Sequence, residues 1–97
     1  MKVFLSHPMH DLSEEQIMSI RDSAYYYLRS VYGNIKLIDN YFHEDAPKNA
    51  RCLWHLGRSI QQLEEADAIY FCEGWENARG CLIERQVAEK YGLRILE

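Results

Sequence analysis

The sequence is short of basic charge, of proline and of long apolar runs. Its 15 Asp and Glu residues outnumber its 11 Lys and Arg residues, which gives a formal net charge of -4. Because nucleic acids and anionic membranes attract basic patches, this balance argues against non-specific binding to either. No window approaches the ~20 apolar residues of a membrane-spanning helix, and the apolar start of the chain is too short for a signal peptide. We therefore expect a cytosolic protein whose partners include neither a nucleic-acid polymer nor a membrane.

Cysteine and histidine are too sparse to suggest a disulfide framework or a metal site. Cys52, Cys72 and Cys81 are odd in number and lack CxxC spacing, so neither disulfides nor zinc binding is indicated. Buried reduced thiols are the simpler interpretation. The four histidines form no metal-ligand pattern such as HExxH. The sequence thus predicts neither a metal nor another cofactor.

The chain does contain a regular alternation of short apolar runs and helical patterns. Ser13 followed by Gln16 is a capping box, and Gly33 is the residue type that commonly ends a helix. The pattern predicts strands over 2–6, 35–38, 68–72 and 93–96, with helices between Ser13 and Gly33, over 50–65 and over 79–91. The predicted inward faces are Ile17, Ile20, Ala24, Tyr27, Leu28 and Val31 on the first helix, Leu53, Leu56, Ile60 and Leu63 on the second, and Ile83, Val87, Ala88 and Tyr91 on the third.

This alternation predicts a single α/β domain over residues 1–97. Strands separated by helices form a parallel sheet with right-handed crossovers. We expect a short flavodoxin-like three-layer sandwich, with a four-stranded parallel sheet in the order 2-1-3-4 and helices on both faces. Ligands bind such sheets beyond the carboxyl ends of the strands, at the switch point between the first and third strands. The loops over 6–11 and 73–80 would flank that crevice.

A third loop is long enough to reach the same region. Residues 39–49 exceed the ~2–6 residues usual for loops in α/β units. Asp39 and Tyr41 or Phe42 therefore either approach the site or decorate the surface.

The stretch from Cys72 to Glu84 concentrates the polar chemistry of the chain. Besides Glu84, the stretch contains Trp75, Asn77, two other glutamates and two glycines. Glu84 differs from the other carboxylates because its neighbours three and four positions away are uncharged, so helical ion pairs do not account for it. Glu84 also adjoins the inner edge of the apolar face near the positive end of the helix, so we expect it to be either partly buried or turned toward the crevice. A solvated helix glutamate is the alternative, and it fits the sequence equally well.

Other residues near the predicted crevice have both a functional and a structural interpretation. Ser6 can donate to a ligand oxygen, and His7 and Met9 follow it at the end of the first strand. His7 suits acid or base chemistry, although single loop histidines are often inert. Arg79 either binds a phosphate at the helix start or pairs with Glu76. The glycines Gly74 and Gly80 permit close approach of a ligand or serve ordinary turns.

Three segments resemble the nucleoside 2-deoxyribosyltransferase-like superfamily, and specifically its DUF4406 branch. They are Val-Phe-Leu-Ser-His-Pro-Met at 3–9, Leu-Gly-Arg-Ser-Ile at 56–60, and the run from Glu65 through Gly74-Trp75-Glu76-Asn77-Ala78-Arg79-Gly80-Cys81 to Glu84. The resemblance covers nearly the whole chain. It implies that Glu84 is the nucleophile of a retaining N-glycosidic reaction on a 2-deoxyribosyl substrate.

The resemblance also implies partners and leaves the reaction type open. Arg58 and Arg79 would suit a 5′-phosphate, so hydrolysis of a deoxynucleoside monophosphate competes with transfer between bases. The superfamily's C-terminal active-site residues are either missing or must come from another subunit. We expect a homo-oligomer, a dimer or larger. Apart from the resemblance, the first helix carries more tyrosines than one helix face can bury, which suits a protein interface; they are Tyr25, Tyr26, Tyr27 and Tyr32. A non-catalytic nucleotide-binding or interaction module on the same fold is the alternative.

Overall fold

The computed structural model describes residues 1–41 and 45–97. Four parallel strands form one sheet in the order β2-β1-β3-β4, which confirms the predicted topology. The strands are β1 (Lys2–Ser6), β2 (Lys36–Leu37), β3 (Ala68–Phe71) and β4 (Arg94–Leu96). The central pair carries the longest register, with Val3 opposite Ala68 at one end and Ser6 opposite Phe71 at the other.

Three helices cover the two faces of this sheet. They are α1 (Glu14–Tyr32), α2 (Cys52–Gln62) and α3 (Arg79–Tyr91). Side chains of β1 and β3 alternate between two apolar clusters, as strand geometry requires. Val3 and Leu5 pack with Leu28 of α1 on one face, whereas Phe4 and Ile69 pack with Ala88 of α3 on the other. The result is the expected α/β/α sandwich.

The ends of α1 follow from local sequence. The Ser13 hydroxyl accepts the Gln16 backbone N–H at 3.1 Å, and the Gln16 side chain accepts the Ser13 N–H at 2.8 Å, which is the predicted capping box. Gly33 ends the helix with φ at 81° and donates its N–H to the Arg29 carbonyl oxygen at 3.0 Å. Because left-handed backbone suits glycine, the predicted stop is also confirmed.

The buried stripe of α1 is narrower than predicted. Its buried residues are Ile17, Arg21, Ala24 and Leu28, while Tyr27 and Val31 are exposed. Including Tyr27 and Val31 in the core was therefore wrong. Tyr27 lies at the rim instead, where its hydroxyl donates to the Glu97 carbonyl oxygen at 3.0 Å. A sheet of four short strands covers only the central stripe of the helix above it.

The buried faces of the other two helices also differ from the predicted ones. The second helix ends at Gln62 and continues as a 3-10 turn, Leu63–Glu65, in which Leu63 is buried. Leu53, predicted to be in the core, is 80% exposed. The bounds of α3 match the prediction, but Ile83 and Tyr91 are exposed, and Tyr91 reaches 86%. The stripe of α3 that meets the sheet instead contains Cys81, Glu84 and Ala88.

Strand boundaries differ from the predictions by one or two residues. The strand predicted over 35–38 is regular only at Lys36–Leu37, although the Ile38 N–H still donates to the Val3 carbonyl oxygen at 2.9 Å. Cys72 similarly continues the pairing of β3 by donating its N–H to the Ser6 carbonyl oxygen at 2.9 Å. Within the described ranges, no helix is both long enough and apolar enough to span a membrane.

Candidate functional site

Glu84 lies at the carboxyl edge of the sheet, between β1 and β3. It occupies the second turn of α3, and its carboxylate oxygen Oε1 accepts a 2.7 Å hydrogen bond from the Ser6 hydroxyl. Ser6 is the last residue of β1, and the two side chains are 1% and 7% exposed respectively. Glu84 is therefore not a solvated surface glutamate. It is a buried carboxyl group held at the topological switch point, where ligands bind in parallel sheets.

The two oxygens of the Glu84 carboxyl group differ in their hydrogen bonding. Throughout residues 1–41 and 45–97, every fully buried side-chain oxygen or nitrogen has a hydrogen-bond partner. Ser6 bonds only Oε1, and Oε2 takes part in no hydrogen bond within the same ranges. Oε2 is therefore not fully enclosed, because every fully enclosed oxygen in these ranges has a partner. The protein fixes one oxygen of Glu84 by a hydrogen bond and leaves the other without one.

Burial also changes the acidity of Glu84. Removal from water raises the pKa of this carboxyl from 4.5 to about 7, and the hydrogen bond from Ser6 opposes that rise. Desolvation dominates because the charged form loses most of its hydration. Near neutral pH the group therefore exists in both protonation states, which is common for groups that act on substrates.

Cys81 lies one helical turn before Glu84 on the same buried stripe. Burial raises the pKa of its thiol to about 11, while the neighbouring Ser6 hydroxyl lowers it. The thiol therefore stays protonated at neutral pH and adds no second negative charge beside Glu84. A reactive cysteine would need a depressed pKa, so Cys81 is unsuited to act as a nucleophile.

A buried arginine clamps the neighbouring strand ends, and the sequence analysis did not identify it. Arg21 of α1 donates from one nitrogen to the Asn40 side-chain oxygen at 3.0 Å and from the other to the Ile38 carbonyl oxygen at 3.2 Å. Asn40 in turn donates to the Leu5 carbonyl oxygen at 2.9 Å. These bonds join α1 to the carboxyl ends of β1 and β2. Spacing alone could have found Arg21, because it falls on the 17-21-24-28 stripe.

The same arginine fixes the state of His7. The ring nitrogen Nε2 accepts from Arg21 at 3.1 Å, and Nδ1 lies 3.2 Å from the Pro8 carbonyl oxygen, to which it donates. Burial lowers the pKa of His7, and the Arg21 charge lowers it further, against the raising effect of the Pro8 carbonyl. A neutral ring with both nitrogens engaged holds the loop after β1 and is poorly placed for proton transfer to a ligand.

Gly74 and Trp75 shape the loop opposite His7. Gly74 has φ at 90°, and a Cβ there would lie 3.3 Å from the Pro8 side chain, so the two loops touch at this point. The Trp75 ring lies 5.2 Å from the Phe71 ring, and the Arg85 guanidinium lies 5.1 Å from the centre of each. This stacking fixes the indole ring against the end of β3.

The sequence matches, over residues 1–97, the model of the family described as a domain of unknown function, DUF4406. The chain belongs to the DUF4406 family. Neither a curated protein nor a solved structure matches it.

The remaining predicted binding residues of this DUF4406 chain are more exposed than Glu84. Met9 is exposed, as are Asn77 and Arg79. Arg79 makes no ion pair with Glu76 within the described residues. Gly80 is half-buried and faces Leu56, whose methyl group would lie 3.8 Å from an added Cβ. The predicted ligand roles of these residues stay predictions.

Arg58 and the loop over 39–49 supplied further predicted site residues. Arg58 forms an ion pair with Asp45 at 3.2 Å. Asp39 is exposed and Tyr41 is half-buried, while Phe42 lies outside the described residues. Among the side chains that are described, no three of His, Cys, Asp and Glu cluster closely enough to hold a metal ion.

Two surface cavities of the DUF4406 chain lie away from Glu84. One, of about 920 Å³, follows the outer side of α1 between Ser13 and Tyr26. The other, of about 330 Å³, is lined by Asp45 and by residues of α2 that include Leu53 and Trp54. Glu84 borders neither of these two cavities.

Proposed function

We propose that this protein breaks the N-glycosidic bond of a nucleoside or nucleotide and that Glu84 is its nucleophile. The observation that carries the proposal is the asymmetric environment of the Glu84 carboxyl group. Ser6 holds Oε1 at 2.7 Å, while Oε2 has no hydrogen-bond partner among the described residues and is not fully enclosed. A nucleophile needs this combination of a fixed orientation and one accessible reacting atom.

The reaction would proceed in two displacements. In the first, Oε2 forms a bond to the anomeric carbon while the bond from that carbon to the base nitrogen breaks, and the departing base takes up a proton from solvent water. In the second, water attacks the same carbon, the glycosyl ester breaks, the attacking water gives one proton back to solvent, and Glu84 is released as the carboxylate. Two inversions give overall retention. If a second base attacks instead of water, the same intermediate gives transfer.

The superfamily resemblance supports the choice of substrate. Segments around Ser6 and Glu84 resemble nucleoside 2-deoxyribosyltransferase-like proteins, whose nucleophilic glutamate corresponds to Glu84. The absence of a 2′-hydroxyl eases formation of the oxocarbenium-like transition state, which suits a site with few polar groups. Arg79 is exposed at the start of α3, where backbone N–H groups favour anions, and is our candidate for a 5′-phosphate.

A panel of substrates tests this function directly. The protein is incubated with 2-deoxynucleosides, their 5′-monophosphates and the matching ribonucleosides, and free base is measured by chromatography with and without an acceptor base. We expect release from at least one deoxy substrate, with a rate that rises as pH increases through about 7, where Glu84 ionises. No release from any member of the panel would contradict the proposal.

Two variants assign the activity to Glu84. Glu84→Gln and Glu84→Ala remove the nucleophile, so base release should fall by at least about 10³-fold, as expected when a covalent catalyst is lost. Glu73→Gln is the matched control, because it neutralises an exposed carboxylate of the same loop. Unchanged turnover in either Glu84 variant would overturn the mechanism.

A non-catalytic nucleotide-binding or interaction module is the second candidate. It is favoured by the position of the two surface cavities, since Glu84 lines neither of them. Calorimetric titration with the same nucleotides separates the two functions. Binding without base release, unaffected by Glu84→Gln, would support the module.

We also propose that the protein acts in the cytosol on a small molecule and assembles as a homo-oligomer. The exposed α1 residues Tyr26, Tyr27 and Val31 support a contact between copies. Sedimentation should show a dimer or larger species at micromolar concentration. Monomer alone would contradict a shared active site.

A further inference from the structure

We propose that Ser6 is the positioning residue of Glu84: its hydroxyl holds Oε1 and thereby turns Oε2 toward the substrate. This inference rests on the proposed function and deepens it, because it assigns Ser6 to the orientation of the nucleophile instead of to ligand binding. Ser6 acts through Glu84 and does not itself touch the reacting atoms.

The backbone of Ser6 is rigid enough for this role. Ser6 pairs with Phe71 of β3, and its carbonyl oxygen accepts the Cys72 N–H at 2.9 Å. The terminal torsion of a glutamate side chain is broad, so the plane of an isolated carboxylate takes many orientations. A hydroxyl fixed on the central strand removes that freedom. The 2.7 Å bond therefore selects one orientation of the carboxyl group of Glu84.

The single proton of Ser6 is already committed. A serine hydroxyl has one donor, and here it points to Glu84. Ser6 is 1% exposed, so a ligand oxygen has no access to it. The neighbouring Cys81 thiol stays protonated and is a weak donor, so it does not compete for the Ser6 proton.

Ser6 also opposes the effect of burial on Glu84. Its hydrogen bond favours the ionised carboxyl, which is the form that attacks carbon. Among the described residues no cation contacts Glu84. Ser6 is consequently the main group that keeps the carboxylate available at neutral pH.

The first experiment needs no substrate. The Glu84 carboxyl is followed by 13C NMR during a pH titration of wild type, Ser6→Ala, Ser6→Cys and Ser6→Thr. We expect Ser6→Ala and Ser6→Cys to move the Glu84 titration upward by about one pH unit, because a hydrogen bond to a charged acceptor is lost or weakened. Ser6→Cys is close in size, so it serves if Ser6→Ala fails to fold. Ser6→Thr retains a hydroxyl and should titrate near wild type.

Ser59→Ala provides the matched control, because Ser59 is a buried serine of α2 whose hydroxyl does not bond Glu84. It should leave the Glu84 titration unchanged. A wild-type titration midpoint in both Ser6→Ala and Ser6→Cys would overturn the inference.

The second experiment uses whichever deoxy substrate releases base. Ser6→Ala should lower kcat at least about tenfold with little change in KM, and the acid limb of the kcat/KM profile should shift upward with the NMR midpoint. Ser6→Thr should have the wild-type kcat and the wild-type acid limb. If no substrate reacts, the proposed function fails and the NMR titration still decides whether Ser6 controls Glu84. If wild type reacts and Ser6→Ala keeps its kcat and its acid limb, the positioning role is wrong.

Discussion

Glu84→Gln should stabilise the protein, and by an amount that depends on pH. The carboxyl pKa is about 7 in the folded protein against an ordinary 4.5. Each pH unit of that difference corresponds to ~1.4 kcal/mol, so ionised Glu84 costs the fold about 3 kcal/mol. A glutamine is neutral at every pH and its carbonyl oxygen can still accept from Ser6. The variant should therefore avoid this cost.

The sign of this stability difference follows from proton binding in the folded and unfolded states. Below about pH 4.5 both folded and unfolded chains hold the proton, so wild type and Glu84→Gln should be similar. Between 4.5 and about 7 only the folded chain keeps the proton, and wild-type stability falls as pH rises. Above pH 7 the free energy of unfolding of Glu84→Gln should exceed that of wild type by a constant amount of about 3 kcal/mol. This corresponds to a melting temperature on the order of 10 °C higher for the variant.

Urea unfolding of both proteins at several values between pH 4.5 and 8.5 measures this difference. His7 acts in the opposite direction, because its lowered pKa stabilises the fold above 6.5 and loses that contribution as pH falls. Subtracting the two proteins cancels His7 and every other shared group. Glu73→Gln, at an exposed position, should show no comparable trend. A constant difference between Glu84→Gln and wild type across this range would refute the reasoning.

Three further substitutions test the surroundings of the site by urea unfolding. Arg21→Met should lower the free energy of unfolding by about 2 to 4 kcal/mol, because it leaves acceptors on His7, Asn40 and Ile38 without their donor. An unchanged free energy of unfolding would mean that the Arg21 hydrogen bonds make no net contribution to stability. Gly74→Ala should cost about 1 to 3 kcal/mol through left-handed strain and its contact with Pro8, and full stability there would contradict the close approach of the loops. Leu53→Ser should change stability by less than about 0.5 kcal/mol because Leu53 is 80% exposed, and a large loss would place it in the core.

Local sequence was sufficient for the order and the ends of most elements. Ser13 with Gln16, and Gly33, act within a few residues of themselves, so their effects need no knowledge of the remaining fold. The alternation of strands and helices then restricts the sheet to few arrangements, because parallel crossovers have one hand. The order β2-β1-β3-β4 and the position of the site loops were predictable for this reason.

Burial was less predictable because it depends on which stripe of each helix the sheet covers. Apolar spacing placed Tyr27, Leu53 and Tyr91 inside, yet all three are exposed. Arg21 and Glu84 occupy the covered stripes despite their charge. A pattern search that counts only apolar residues rotates the inward face away from such polar positions. The error therefore falls at the polar residues that form the site.

The sequence by itself determined the α/β order, the helix caps, the parallel sheet and the loops that border its switch point. Tertiary structure alone decided that Glu84 is buried, that Ser6 holds one of its oxygens and that Arg21 engages His7. The physical reason is separation along the chain. Ser6 and Glu84 are 78 residues apart, and only the pairing of β1 with β3 and the packing of α3 on that pair bring a hydroxyl within 2.7 Å of a carboxylate.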